Sequence, residues 1–471
     1  RRPARRPAAP ALACRARPGG PRLPRPHSPA GPARRPVHLL AICTAAQGET
    51  PVDDVLTLAR LQFALTAIAH YLFVSLTLGL VTFLVVLQTR WAITGKDKHR
   101  TQTRFWGQLY LINYALGIGT GIVMEFQFGL NWSGLTHAAG NVFGAPLAVE
   151  TLVAFFAEST LLGLWIFGWD RLGRTAHTVL IWLVALTAYA SVFFVMAANG
   201  FLQNPEGTRR VDGEMVPVDT ATLFQNSNAG SAMGHVLTGA LATGAFFIVA
   251  VSAWHLRRRT AHTEFFWSSM KLALPVAALT SLVTGIMGAG LFQVVADQTP
   301  TKFGPGDKNA AARAREFTEK FGPDNYYAPD YVRTAESLML SSWTVMIVVP
   351  LVALLFLIRR NLIRRRVLLW LLSACVILPY LASTAGWVFR EAGRQPWAIY
   401  GVLKTEEALT PGLTAAGTLA SLLVFGLLVV ALTLIDWALL LRFARQGPDA
   451  AQLGRPPSPA GKPADHATLT Y

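Results

Sequence analysis

Apolar residues in this chain fall in long runs separated by short polar links. Nine runs are long enough to cross about 30 Å of hydrocarbon: 55–89, 107–128, 145–168, 177–198, 229–255, 269–295, 335–358, 367–389 and 412–441. At these lengths in lipid only helices satisfy their own backbone hydrogen bonds. The pattern therefore predicts an all-α integral membrane protein, a bundle of nine transmembrane helices.

The links give the orientation. Arg90, Lys96, Lys98, Arg100 and Arg104 follow the first run, and Arg171 and Arg174 the third. Arg257, Arg258 and Arg259 follow the fifth, Arg359, Arg360, Arg364, Arg365 and Arg366 the seventh, and Arg442 and Arg445 the ninth. Alternating helices put all five links on one side, which the distribution of Lys and Arg marks as cytoplasmic. The other side holds Leu130 to Gly144, without Lys or Arg, and two longer loops of mixed charge, 199–228 and 296–334. The amino terminus of the bundle is then outside.

Composition agrees. The chain of 471 residues is 52% hydrophobic and 14% charged, where a soluble domain carries about 25% charged residues. The net charge of +16 does not signal nucleic-acid binding, because residues 1–50 supply +9 of it with ten Arg against Glu49. The remainder lies in the short links, where membrane proteins place it. Residues 1–51 read as a disordered Arg/Pro-rich extension, absent from the mature protein if the start codon is mis-assigned. Its apolar run, His38 to Ala46, is too short for a good signal peptide. Residues 447–471 read as a disordered cytoplasmic tail. Cys14, Cys43 and Cys375 have no paired or metal-type spacing.

Ionisable groups inside a bilayer are costly and are functional candidates by default. Of ten histidines, His70 and His235 sit well inside spanning runs, and His255 is at a helix end. Carboxylates in or beside the runs are Glu125, Glu150, Glu158 and Glu391. His235 is about six residues into the fifth helix and Met339 about five into the seventh, so both lie about 7–9 Å below the outer surface. A His and a Met at one depth can ligate one iron axially. Glu150 and Glu158, eight residues apart, stand about 12 Å apart along a regular helix and about 80° around it. That suits successive stations of a proton path better than a shared-proton pair. Each residue also has a plainer reading: a packed histidine, a methionine filling the core, or Glu391 paired with Arg390 or Arg394.

Six stretches together resemble subunit I of the cytochrome bd quinol oxidase family. They are RLQFALTAIAHYLF (60–73), MEFQFGLNW (124–132), FGAPLAVE (143–150), FFAESTLLGLWIFGWDRLG (155–173), ANGFLQNP (198–205) and GRQPWAI (393–399). They occur in order across most of 52–446. The resemblance implies a terminal oxidase that oxidises quinol at the outer face and reduces dioxygen to water. Three haems would serve it, two of type b and one of type d, the last replaceable by a b haem. By this resemblance His70 serves the high-spin pair, Glu391 ligates the second b haem and His235 the low-spin b haem, with Met339 or Met346 opposite. Glu150 and Glu158 match the glutamates of the haem d pocket and its proton supply, and Trp387 an aromatic between haems. Arg394, Gln395 and Trp397 of GRQPW, together with Lys302, are the implied cofactor- and quinol-binding positions.

A second membrane subunit, forming a heterodimer, and a small single-helix subunit are the implied partners, in a bacterial plasma membrane and without nucleic acid. The chain departs from the family in two places. The family's Arg two residues before the axial Met is missing from RTAESLML (333–340), where Arg333 stands further away. The outer loop 296–334 is short, and of the family's Lys and Glu pattern it offers Lys302, with Glu316 or Glu319 as partners. A family member using another electron donor therefore stays open, as does a haem-free secondary transporter, although no inverted repeat is visible. A bis-His cytochrome b needs four intramembrane His where the chain has two.

Overall fold

The computed structural model describes residues 51–454. The expected extension, apart from Pro51, and the tail from 455 onward lie outside the described residues. Among those described, nine helical spans are long and apolar enough to cross a membrane, and the chain is an all-α, multi-pass membrane protein.

In order, the elements are α1 (Pro51–Thr94), α2 (Asp97–Leu130), α3 (Ser133–Val149), a π-helical segment (Glu150–Phe155), α4 (Phe156–Phe167) and α5 (Arg174–Gln203). A hairpin of β1 (Thr208–Val211) and β2 (Glu214–Pro217) and the short α6 (Thr220–Phe224) lead into α7 (Ser227–Arg258) and α8 (Thr263–Gln298). Then come α9 (Lys308–Phe321), α10 (Tyr331–Leu357), α11 (Arg366–Ala374) and α12 (Ile377–Glu391). A small hairpin of β3 (Trp397–Ile399) and β4 (Leu403–Lys404) precedes α13 (Ala415–Gln446).

The spans containing α1 and α7 form the centre, 72% and 67% buried over their apolar windows, whereas α13 is 17% buried and the α3–α4 span 12%. The peripheral spans therefore turn large apolar side chains such as Leu152, Phe167 and Leu427 outward, as a lipid-facing helix does. α1 and α7 can touch because both carry glycine where they cross. A Cβ built on Gly79 would stand 2.5 Å from the Ala240 carbonyl oxygen, and one on Gly244 would stand 2.5 Å from the Gly79 carbonyl carbon. Small residues at a crossing let backbones approach and pack without the hydrophobic drive that water supplies. A continuous apolar core runs from there toward the arginine-rich end, through Leu80, Leu84, Trp106, Trp165, Phe246 and Phe266.

Three sequence expectations change. The third span begins at Ser133 rather than 145, because 133–144 is an amphipathic helix rather than a loop. Its Leu135, Ala139, Val142 and Phe143 recur at helical spacing and are buried, while the rest of the turn is polar or small. The eighth run is broken between α11 and α12. Pro379 has no N–H to donate to the Cys375 carbonyl, and its ring crowds that position, so α12 restarts at Ile377. Residues 447–454, expected to be the start of a disordered tail, fold back on α2. The Gln452 N–H donates to Gln108 Oε1 (2.6 Å), Arg104 Nη2 donates to the Gly454 carbonyl (2.5 Å), and Leu453 is buried.

Candidate functional site: histidines, a methionine and a buried cation cluster

His70 and His235 are each oriented through Nδ1. The Thr120 hydroxyl gives its proton to the Gly117 carbonyl (2.8 Å), so toward His70 Nδ1, 3.1 Å away, it can only accept. His235 Nδ1 lies 3.0 Å from the Thr284 carbonyl oxygen, which also only accepts. Both rings therefore carry the proton on Nδ1 and keep the lone pair on Nε2, the tautomer of a metal-ligating histidine held by an outer partner.

Each ring faces a glycine on the neighbouring helix. A Cβ on Gly121 would lie 2.9 Å from His70 Cε1, one on Gly288 2.9 Å from His235 Cε1, and one on Gly386 3.1 Å from Met339 Sδ. Met339 stands eight residues after the first residue of α10 (339 − 331), as His235 does in α7 (235 − 227), which is about 12 Å of rise in both. The two residues thus stand at equal count from the starts of their helices. The alternative, Met346, is 4% exposed within the apolar core.

Between the His70 and His235 neighbourhoods lies Trp387. Its ring meets Tyr71 edge-on at 5.1 Å, and it packs against an apolar cluster that joins Leu78 of α1, Ala188 of α5 and Ala232 of α7. Among the described residues no three His, Cys, Asp or Glu gather around a common metal position. Isolated axial donors are what a haem requires, because the porphyrin supplies four nitrogens itself.

At the end of the bundle opposite the arginine-rich links, α12 closes with Glu391 amid cations. Glu391 Oε2 accepts from Arg394 (2.8 Å) and Oε1 from Asn199 (2.9 Å), with Arg390 at 3.8 Å. Arg390 donates to Asn199 Oδ1 (2.7 Å) and Asn228 Oδ1 (2.8 Å). Lys302, 1% exposed, donates to the Arg390 carbonyl (3.1 Å) and lies along Gly393, where a Cβ would come within 2.8 Å of its methylenes. Burial first, then the neighbouring Arg390 and Arg394 charges, push the Lys302 ammonium down to about 7. The cluster still sets two permanent cations against one carboxylate, and Arg390 Nη1 and Arg394 Nε and Nη1 are buried without a partner. Unmet donors of charged groups cost more than about 1–3 kcal/mol each. The propionate carboxylates of a haem have the charge and acceptors this cluster lacks, so the residues present fit the group.

The carboxylates of the third span lie elsewhere. Glu150 Oε1 accepts from Ser191 and Oε2 from Thr151 (3.2 Å). Glu158 is 6% exposed, with Oε1 unpartnered. Glu150 opens the π-helical segment, four residues after Pro146. Such wide turns often sit at functional positions. They advance less than 100° per residue, so the offset of the two glutamates falls below the 80° expected of a regular helix.

The expected outer loop is largely structured. Phe317 of α9 and Tyr326 pack on Trp397, with centroids at 4.9 and 5.7 Å, closing α9 over the β3–β4 hairpin. Gln395 Oε1 accepts from Arg60 (2.7 Å) and Thr405 (2.8 Å). The proposed Lys302 partners are not beside it. Glu316 pairs with Arg313 at 3.2 Å on the exposed face of α9, Glu319 is exposed there too, and the Lys302 Nζ bond goes to main chain. Arg333 pairs with Glu336 at 3.1 Å. Sequence reasoning missed Asn199, Gln203 and Asn228, which line the cation cluster. Their signal was available, since two neutral polar residues one turn apart in ANGFLQNP must face something polar.

Comparison with known proteins converges on one family. Residues 58–315 and 319–448 match the family described as Cytochrome bd terminal oxidase subunit I. The chain is 34% identical to Cytochrome bd ubiquinol oxidase subunit 1 of Bacillus subtilis (strain 168), over 83% of this chain and 94% of that one. It is 32% identical to Cytochrome bd-II ubiquinol oxidase subunit 1 of Escherichia coli (strain K12), over 87% of this chain and 100% of that one. Its fold superposes on the solved bd oxidase from Geobacillus thermodenitrificans with a TM-score of 0.76 at 25% identity, covering 85% of this chain and 100% of that one.

Proposed function

Since the chain belongs to the cytochrome bd terminal oxidase subunit I family, and is thus a haem-containing quinol:oxygen oxidoreductase of the membrane, we propose a specific division of labour among its residues. His235 and Met339 hold a low-spin b haem. His70 serves the high-spin pair, of which one is a d haem or a further b haem, and Glu391 ligates the second b haem. The haems would supply electron transfer and the site of dioxygen reduction.

The chain's own residues do the rest. Thr120 and the Thr284 carbonyl orient the two imidazoles. Arg390, Arg394 and Lys302 neutralise carboxylates at the outer end, and the Gly121, Gly288 and Gly386 positions keep the space beside each ligand free of side chains. Trp387 and Tyr71 fill the gap between histidine neighbourhoods. Lys302, Gln395 and Trp397 shape the quinol side under α9. Two quinols give four electrons to one dioxygen and release four protons outside. The four protons entering water come from the cytoplasm by way of Glu158 and Glu150. Charge separation follows without a pumping channel. The protein works as a heterodimer with a second membrane subunit, joined by a small single-helix subunit, in a bacterial plasma membrane with its amino terminus outside.

The observation carrying this reading is that His70 and His235 each place Nδ1 against an oxygen of a neighbouring helix, Thr120 Oγ1 at 3.1 Å and the Thr284 carbonyl at 3.0 Å. A reduced-minus-oxidised spectrum of the purified complex, with quinol-driven oxygen uptake, tests it. Low- and high-spin haem bands with uptake are expected, and a preparation without Soret absorbance overturns it.

A further inference from the structure

The seam between α2 and α4 contains polar groups that nothing above employs. On α2, Gly107, Tyr110 and Tyr114 are spaced three and four apart and share a face. On α4, Glu158, Leu162 and Trp165 do the same. Toward the arginine-rich end Leu453 and Trp165 both touch Gly107, where a Cβ would lie 2.8 and 2.9 Å from them. One turn further in is Tyr110, 0% exposed, with its hydroxyl lacking a partner. Its ring lies 5.8 Å from that of Tyr114, whose hydroxyl is 3.3 Å from Ser159 Oγ. Glu158 is the neighbour of Ser159 on α4.

Two fully buried oxygens, the Tyr110 hydroxyl and Glu158 Oε1, are thus left open in the same interior. Each open group costs about 1–3 kcal/mol, and Tyr110 belongs to the same apolar core as Leu109, Leu162 and Trp165. Water or a mobile proton reaching these oxygens satisfies them, whereas ordinary packing satisfies neither.

We propose that Tyr110, assisted by the Tyr114–Ser159 hydroxyl pair, is the group that delivers protons to Glu158 from the cytoplasmic side. The Glu158 carboxylate gains the Tyr110 hydroxyl proton as the same oxygen takes one from a hydronium ion supplied from the arginine-rich side, which reverts to water. One proton advances and Tyr110 ends unchanged. The inference rests on the reading that Glu158 feeds the oxygen-reducing site.

The test compares Tyr110→Phe, Tyr114→Phe, the double variant and Glu158→Gln in the purified full complex with quinol. Infrared redox-difference spectra locate the Glu158 carboxyl band as the one lost in Glu158→Gln. For Tyr110→Phe we expect unchanged haem bands, oxygen uptake down by about tenfold, a larger solvent deuterium isotope effect and a shifted Glu158 band. Wild-type uptake with an unmoved band overturns the proposal, and so does loss of the haem bands, which makes Tyr110 structural. If Glu158→Gln itself respires normally, the underlying reading of Glu158 fails instead, whatever Tyr110 does.

Discussion

Two pairs of histidines in this molecule are chemically opposite. At the arginine-rich end, His177 and His255 use both ring nitrogens. His177 Nε2 donates to the Trp165 carbonyl (2.7 Å) and Nδ1 accepts from Gln88 (2.8 Å), and His255 does likewise with the Ala444 carbonyl (2.8 Å) and Thr260 (3.0 Å). Toward the middle and the other end, His70 and His235 are tied by Nδ1, with the lone pair of Nε2 left over. The first pair cements aromatic layers, His177 stacked on Trp165 at 5.8 Å and His255 on Phe266 at 3.7 Å. The second pair is poised to bind. A buried histidine is therefore diagnosed by where its lone pair goes, not by its depth.

The strongest challenge to that contrast is removal of a ring. His235→Ala is expected to lose the low-spin haem band and quinol oxidation together, and His70→Ala the high-spin bands with the low-spin band kept. Optical spectra that retain every band would return both residues to the structural class. Met339→Leu comes next, converting the low-spin haem to high spin, and an unaltered electron paramagnetic resonance signal would transfer the ligand role elsewhere.

Thr120→Val keeps the shape beside His70 but removes the acceptor that fixes its tautomer. Haem retention during titration with a haem scavenger should weaken by about 10–100-fold, and equal retention would show that Thr120 does not set the tautomer. His177→Phe sharpens the other side of the contrast. It removes the ring acceptor of the Gln88 amide and the ring donor to the Trp165 carbonyl and should cost about 1–3 kcal/mol of thermal stability while leaving every haem band in place. Any spectral change there would blur the two classes.

The mildest effect belongs to an exposed pair at the opposite end, Lys404 Nζ and Asp324 Oδ2 at 2.5 Å. Burial raises the Asp324 carboxyl, but the Lys404 hydrogen bond, the Asn325 amide and the Lys404 charge together outweigh it and hold the group below the ordinary range. Its contribution is present above the unfolded carboxylate value, near pH 4, and fades as pH falls through the lower folded value. Lys404→Ala should cost less than about 1 kcal/mol at neutral pH, and less still under acid. A larger loss in a neutral-pH melt would mean that this contact anchors the α9 loop.

The spans were legible because lipid enforces long apolar runs, and His70, His235 and the glutamates stood out against them. What stayed hidden was local and three-dimensional. The amphipathic start of α3 at Ser133–Gly144 alternates small and polar residues, so a search for unbroken apolarity passes over it. Met339 and Met346 are equivalent in one dimension and separate only when Gly386 arrives from α12 beside the first and the apolar core encloses the second. Arg390 looked like a partner for Glu391, yet its shorter contacts go to Asn199 and Asn228, which enter from α5 and α7. The seating of Leu453 against Gly107 joins residues 346 positions apart (453 − 107), beyond any periodicity.

The direct main-chain contact of Gly79 with Gly244 has a consequence for life in different bilayers. Membranes vary in thickness by several ångströms, and helices accommodate this by tilting or sliding at modest cost. With no side chain between them to act as a lubricant, α1 and α7 cannot shear past each other, so the adjustment falls to peripheral spans such as α13. The spacing between His70 and His235, and with it any electron tunnelling across that interval, is thereby insulated from changes in lipid chain length and temperature.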